Sequence, residues 1–206
     1  MNNISFKQYR AIDLGILAVI LFAVEALIAK AAGTWFTGQL YTLSPTIAIV
    51  CIVMMRWGGY AAIHAAAGGL AFCIASGASP QQFAIYCAGN CFALVSLLLI
   101  KKFGKQKIKD SVLLTILFTV TAFFGVQIGR WLVSLAFGGA VDTIIVFIMT
   151  DSLTLVFSVL VVLISRRIDG LFEDQKAYLI RTAEERRRAE LTKLADEPSG
   201  DPDNYE

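Results

Sequence analysis

The chain has 206 residues, 57% of them hydrophobic and only 17% charged, with a formal net charge of +2. A soluble globular domain has about a quarter of its residues charged, whereas long stretches here carry almost none, which excludes an ordinary soluble domain and indicates an integral membrane protein. The basic residues lie between apolar spans and form no continuous surface for nucleic acid.

Six spans are expected in chain order, making an all-α membrane bundle over residues 1–168. "MNNISFKQYRAID" is weakly basic, and the apolar run after it is long enough to cross a bilayer, so no cleavable signal is expected. The first span covers Ile12 to Ala32, followed by the loop "GTWFTGQLYTLS", whose aromatics suit a membrane interface. A short second helix, Pro45 to Met55, starts on proline, where the missing N–H costs nothing. "RWGGY" turns the chain into an Ala/Gly-rich third span, Ala61 to Ile74, and "SGASPQQ" into a fourth, Phe83 to Ile100. After the basic loop "KKFGKQKIKD" come a long fifth span, Ser111 to Phe137, the turn "GGAVD" and a sixth span, Thr143 to Ile164.

Charge placement gives the orientation. With the N-terminus in the cytoplasm, Lys7, Arg10, Arg56, Lys101, Lys102, Lys105, Lys107, Lys109, Arg166 and Arg167 all fall on the cytoplasmic side. Only Lys30 falls opposite. Positive residues favour the cytoplasm, so both termini are expected inside. Residues 169–206 form a charged cytoplasmic tail, helical through "RTAEERRRAELTKLADE" and disordered at "EPSGDPDNYE". Leu171, Phe172, Leu179 and Ile180 could give its first turns an apolar stripe.

Arg130 lies inside the apolar run "VTAFFGVQIGRWLVSLAFGG", one turn after Gln127. An arginine in hydrocarbon is costly, and such residues face a bundle interior or a water-filled cavity. By depth, Glu25, Tyr86, Asn90, Gln127, Arg130, Trp131, Asp142 and Asp151 all fall in the outer half of their spans. Distant parts of the chain thus place hydrogen-bonding groups in one layer, as expected for a pocket open to the outside. Arg130 either belongs to a buried ion pair with Glu25, Asp142 or Asp151, or holds a solute. Trp35, Tyr41 and Trp131 are interface anchors or stacking partners for a bound ring. Three acids against one base lean towards a cationic or zwitterionic solute. Ala11, Gly15 and Ala18 form a small-residue strip on the first span, for packing within the bundle or docking a membrane partner.

Other chemistry finds no support. Cys51, Cys73, Cys87 and Cys91 lie in apolar spans and read as packing residues, and His64, the one histidine, has no companion ligand, so neither a metal nor another cofactor is expected. There is no Walker motif, no H-E-x-x-H and no Ser/His/Asp or Cys/His set, so the chain reads as a non-enzyme without its own ATPase.

The chain resembles the substrate-binding S components of energy-coupling factor (ECF) transporters, prokaryotic vitamin-uptake proteins of the cell membrane. The resemblance covers roughly residues 5–168. It rests on "YRAIDLGILAVILF", the short second helix led by "SPT", "RWGGYAAIHAAAGGLA" and the basic loop before the fifth span. It implies a solute pocket on the outer side, built from the fourth to sixth helices and capped by the loop after the first. It also implies partners: a transmembrane coupling subunit and two ATPase subunits that drive uptake. The family docks its coupling subunit through an Ala-x-x-x-Ala surface, where this chain has Ala11-x-x-x-Gly15 and then Ala18. Nickel and cobalt members carry histidine second, where this chain has Asn2. The alternative is a non-transporting membrane scaffold of the MreD type, similar in architecture but without need of a pocket.

Overall fold

The computed structural model describes residues 5–35, 38 and 41–196. Residues 197–206, expected to be disordered, lie outside the described residues, as do 1–4, 36, 37, 39 and 40. All regular structure among the described residues is helical. Four stretches are apolar and long enough to cross a bilayer: Phe6–Trp35, Thr46–Ser76, Pro80–Phe103 and Val112–Ala136. The pair Thr143–Thr150 and Ser152–Ser165, bent by 48°, makes a fifth if counted as one span. Exposed Ile12, Ile16, Val19 and Leu27 on the first stretch, and Ile145, Met149, Val156 and Leu160 on the last, form apolar faces that water would penalise and lipid accepts.

Helix α1 spans Phe6–Trp35, α2 Thr46–Trp57 and α3 Ala61–Ser76, with one 3-10 turn, Gly58–Tyr60, between α2 and α3. Gly58 has φ +63° and ψ −125°, a conformation that favours glycine, and here the chain doubles back. Contacts fix the directions. Arg56 meets Asp13 while Thr46 meets Glu25, so α2 runs against α1. His64 lies 3.0 Å from the Leu14 carbonyl, and a Cβ on Gly68 would fall 2.2 Å from Thr46 Oγ1, so α3 runs with α1 and against α2. Every α2 residue from Thr46 to Arg56 except Ile49 is buried. With 12 residues, α2 is about 18 Å long, well short of a hydrocarbon core of about 30 Å.

Helix α4, Pro80–Asn90, starts with a capping box: Ser79 Oγ accepts from the Gln82 N–H, and Gln82 Oε1 accepts from the Ser79 N–H. It passes into a 3-10 segment, Cys91–Ser96, and then α5, Leu97–Phe103. The loop expected at "KKFGKQKIKD" contains a short helix, α6, Lys105–Asp110. Helix α7, Val112–Ala136, returns across the bundle. Helix α8, Thr143–Thr150, and α9, Ser152–Ser165, stand where one sixth helix, Thr143 to Ile164, was expected. The bend has a visible cause. The Thr42 N–H donates to the Thr150 carbonyl at 2.7 Å, taking the acceptor that a straight helix would use internally.

The base of the tail packs onto the bundle. Phe172 is fully buried, edge-on to Phe118 with ring centroids 6.4 Å apart. Arg56 donates to the carbonyls of Gly170 and Leu171 while its other nitrogens hold Asp13. Lys109 meets Glu173 at 3.0 Å and Lys105 meets Asp174. Tyr9 Oη donates to Gln175 Oε1 at 3.2 Å, so the start of α1 and the start of α10, Gln175–Asp196, lie at one end of the bundle.

Burial pushes the Glu173 carboxyl up, but hydrogen bonds from Lys109 and the Gly170 N–H, with the charges of Lys109 and Arg181, outweigh it and hold it below its usual 4.5. Asp174 behaves likewise: burial raises it, while Lys105 and the Ala177 and Lys176 N–H groups lower it below 3.8. Depressed carboxylates contribute stability above their unfolded values and lose it as pH falls through the folded ones. A spin label at exposed Lys176 should therefore stay immobile from neutral pH down to about 5 and gain mobility only below roughly pH 4. Release of the label between pH 6 and 8 would show that these ion pairs do not hold the tail.

Candidate functional site

At the end of the bundle opposite the tail, one layer of buried polar side chains interrupts the apolar core. Glu25 is 1% exposed, Arg130 5% and Asp151 5%, and Gln127 is wholly buried. Each is delivered by a different constraint. Gln127 and Arg130 lie one turn apart on α7, so both face the same neighbour. Asp151 sits at the α8–α9 bend. Glu25 lies on the inward stripe of α1 with Leu21.

The hydrogen bonds centre on Arg130 and Asp151 and leave Gln127 Oε1 without a partner. Arg130 donates from Nε to Asn90 Oδ1 at 2.9 Å and from Nη1 to Asp151 Oδ2. Gln127 Nε2 donates to the same Asp151 oxygen at 3.0 Å, and Thr42 Oγ1 to the other. Asn90 Nδ2 donates to the Ala65 carbonyl at 3.2 Å. The Arg130 guanidinium lies 4.5 Å from the Tyr86 ring centroid, within cation–π range. Separately, Ser44 and Thr46 hydroxyls both donate to Glu25 Oε2 at 2.7 Å. The segment that supplies Thr42 and Ser44 is pinned by Thr154, which donates to the Thr42 carbonyl and accepts from the Ser44 N–H, both at 3.0 Å.

The void inside this layer is about 10 Å³, lined by Glu25, Thr42, Tyr86, Asn90, Arg130 and Asp151 among others. That is room for one water at most. Next to it, sharing Thr42 and Phe72 as walls, is a cavity of about 670 Å³ lined mainly by Leu27, Ile28, Trp35, Tyr41, Leu43 and Leu153. A volume of this order suits a small molecule.

Six of the nine residues expected at a solute site therefore come together: Glu25, Tyr86, Asn90, Gln127, Arg130 and Asp151. Trp35, 76% exposed, is on the wall of the larger cavity instead. Trp131 donates from Nε1 to the Val141 carbonyl at 3.0 Å and ties down the turn before α8. Asp142 is exposed at the start of α8, with no side-chain cap bond. Of the three acids weighed as partners for Arg130, Asp151 makes the ion pair. The layer holds two acids against one base, not three.

Thr42, Ser44, Thr46 and Thr154 were not expected at the site. The signal for the first three was the hydroxyl-rich stretch "YTLSPT", which reads equally well as an ordinary loop and helix start, and Thr154 lies in the apolar run of α9. Gly125-x-x-x-Gly129 was also overlooked. It is a close-approach motif ending next to Arg130, and it sets how near α7 comes to the end of α4 and the 3-10 segment after it. On α1, Ala11 and Gly15 are exposed and Ala18 half-buried, and a Cβ on Gly15 would meet nothing within 4 Å. Among the described residues, no three His, Cys, Asp or Glu side chains are grouped to hold a metal. No family model, curated protein or solved structure matches the chain.

Proposed function

We propose that the chain is the solute-binding membrane subunit of an ECF-type importer, taking up a vitamin or a related cofactor precursor. The observation that carries this reading is the polar layer with its adjoining cavity of about 670 Å³, at one end of an otherwise apolar bundle. In this reading Thr46–Ser76 crosses the prokaryotic cell membrane twice, as the Thr46–Gly68 approach favours, giving six passes with both termini in the cytoplasm. The polar layer then faces outwards, and the site comprises Glu25, Trp35, Tyr86, Asn90, Gln127, Arg130, Trp131, Asp142 and Asp151, with Thr42 added by its contacts. Trp131 and Asp142 belong to its rim. A coupling subunit and two ATPases supply the energy, docking on the Ala11, Gly15 and Ala18 face, which the bundle leaves uncovered at Ala11 and Gly15.

Reporter fusions at Gly77 and Lys105 should report the outside and the cytoplasm, respectively; both on one side would end the six-pass arrangement. Purification from the native host should bring down a coupling subunit and two ATPases, with a retained small molecule visible by mass spectrometry. Gly15→Leu should abolish uptake and leave solute binding and melting temperature unchanged, because the added side chain meets open space. Equal loss of binding would assign that face to the bundle itself.

A second reading is favoured by one observation. Most of the polar layer is paired within itself around a void of only about 10 Å³, with Gln127 Oε1 left over, as a brace would be in a scaffold of the MreD type. Recovery of cell-wall synthesis proteins without any ATPase would select it.

A further inference from the structure

The two buried acids of the polar layer are not equivalent. Asp151 is neutralised by a direct ion pair with Arg130 and receives two further donors, from Gln127 and Thr42. Glu25, equally buried, meets only the hydroxyls of Ser44 and Thr46, and both converge on Oε2. No donor among the described residues reaches Oε1, and Glu25 lines the small void against Thr42 and Phe72, the walls shared with the large cavity. With both acids ionised, Glu25 and Asp151 against Arg130 leave one negative charge without a partner, so Glu25 is either protonated or matched by a cation.

From this geometry we infer that the solute is an amphipathic cation, with its ammonium or protonated nitrogen on Glu25 Oε1 and its apolar body in the cavity beside Trp35, Tyr41, Phe72 and Leu153. The inference rests on the importer reading and specifies its substrate class. The charge count decides the sign. With Glu25 ionised, a cation brings the buried layer to neutrality and an anion doubles its excess; with no cation bound, Glu25 holds a proton, because an unpaired charge is expensive there. The cavity decides the body. Its walls are mainly aliphatic and aromatic, with polar groups from Thr42, Ser76, the Tyr41 hydroxyl and the Trp35 indole and no charged side chain. Entry to Glu25 requires the Phe72 side chain to swing aside, since the void there holds no more than a water. Phe72 makes no hydrogen bond to the ion pair, so this movement leaves Arg130 and Asp151 in place.

Three probes of one shape test the inference on the full chain in nanodiscs at pH 7: 2-phenylethylammonium, 2-phenylethanol and 3-phenylpropanoate. The ammonium should raise the melting temperature, half-saturating at a concentration lower than the alcohol by roughly tenfold, and the carboxylate should have no effect. Glu25→Gln should erase the preference for the ammonium over the alcohol. Trp35→Ala changes a largely exposed side chain, keeps the fold if Glu25→Gln does not, and should weaken ammonium and alcohol alike. The assignment is overturned if the ammonium produces no shift, if the alcohol or carboxylate binds as well, if the preference survives Glu25→Gln, or if Trp35→Ala changes nothing. Preference for the carboxylate would remove the charge assignment and leave the importer reading standing, whereas absence of ATPases on purification would remove the importer reading itself.

Discussion

Arg130→Met lowers the stability of the folded protein by about 3–5 kcal/mol, the usual cost of breaking a buried ion pair from one side. Methionine suits the surroundings, so the loss comes from what is left behind. Asp151 keeps Gln127 and Thr42 as donors but loses its counter-charge, and Asn90 Oδ1 loses the Arg130 Nε–H. The second change that tests this is Asp151→Leu. The double variant should recover most of the lost stability, because neutral side chains of similar volume replace a pair that had to be desolvated. Unfolding titrations in mixed detergent micelles give the four corners of the cycle. A single-variant loss below about 1 kcal/mol, the range of exposed pairs, would place Arg130 in contact with water. Solute binding adds a separate readout. If it returns with stability in the double variant, Arg130 acts only as a brace; if it stays weak, Arg130 contacts the solute.

Gly129→Leu is expected to cost about 3 kcal/mol or more, at the upper end for overpacking. A Cβ there would lie 2.4 Å from the Gly89 carbonyl oxygen and 2.6 Å from Phe92 Cβ. Gly89 is equally confined, with its own Cβ position 2.7 Å from the Arg130 N and Cα. The obstacles are largely backbone, so no side-chain rotation relieves them and the two helices must separate. Separation also pulls Arg130 away from Asn90, so loss of packing and loss of the polar layer come together. Gly15→Leu is the matched control, since its surroundings are empty. Equal melting temperatures for the two variants would mean that α4 and α7 do not cross as closely as described.

The helices were legible because hydropathy and charge change sharply at their ends, and the expected second, third and fifth helices lie within a few residues of α2, α3 and α7. The 3-10 segment Cys91–Ser96 was not legible, because "CFALVS" contains no breaker and its geometry comes from packing against α7. Nor was the bend at Asp151, which depends on a backbone N–H from Thr42, more than a hundred residues earlier. Depth alone gathered Glu25, Asn90, Gln127, Arg130 and Asp151, since buried polar groups must find partners. Depth could not separate Asp142 from Asp151, because it gives a height in the bundle and not a direction around the helix. The apolar stripe at the base of the tail was legible, but not where it docks. "RRIDGLFEDQ" looks solvated, yet its one phenylalanine fills a buried site while its acids meet lysines from a distant loop.

The sheathing of α2 bears on how the protein is made. Ribosomes deliver α2 long before α7 and α9, yet those helices supply part of its walls. A segment of about 18 Å with Arg56 at its end is a poor candidate to leave the translocon alone and float in lipid. In the six-pass arrangement proposed above, its natural unit of insertion is the hairpin with α3, held back or chaperoned until the later helices arrive. Biogenesis, more than the finished fold, is then where substitutions in α2 do their damage: a variant tolerated by the assembled bundle still has to survive the interval when this helix has no walls.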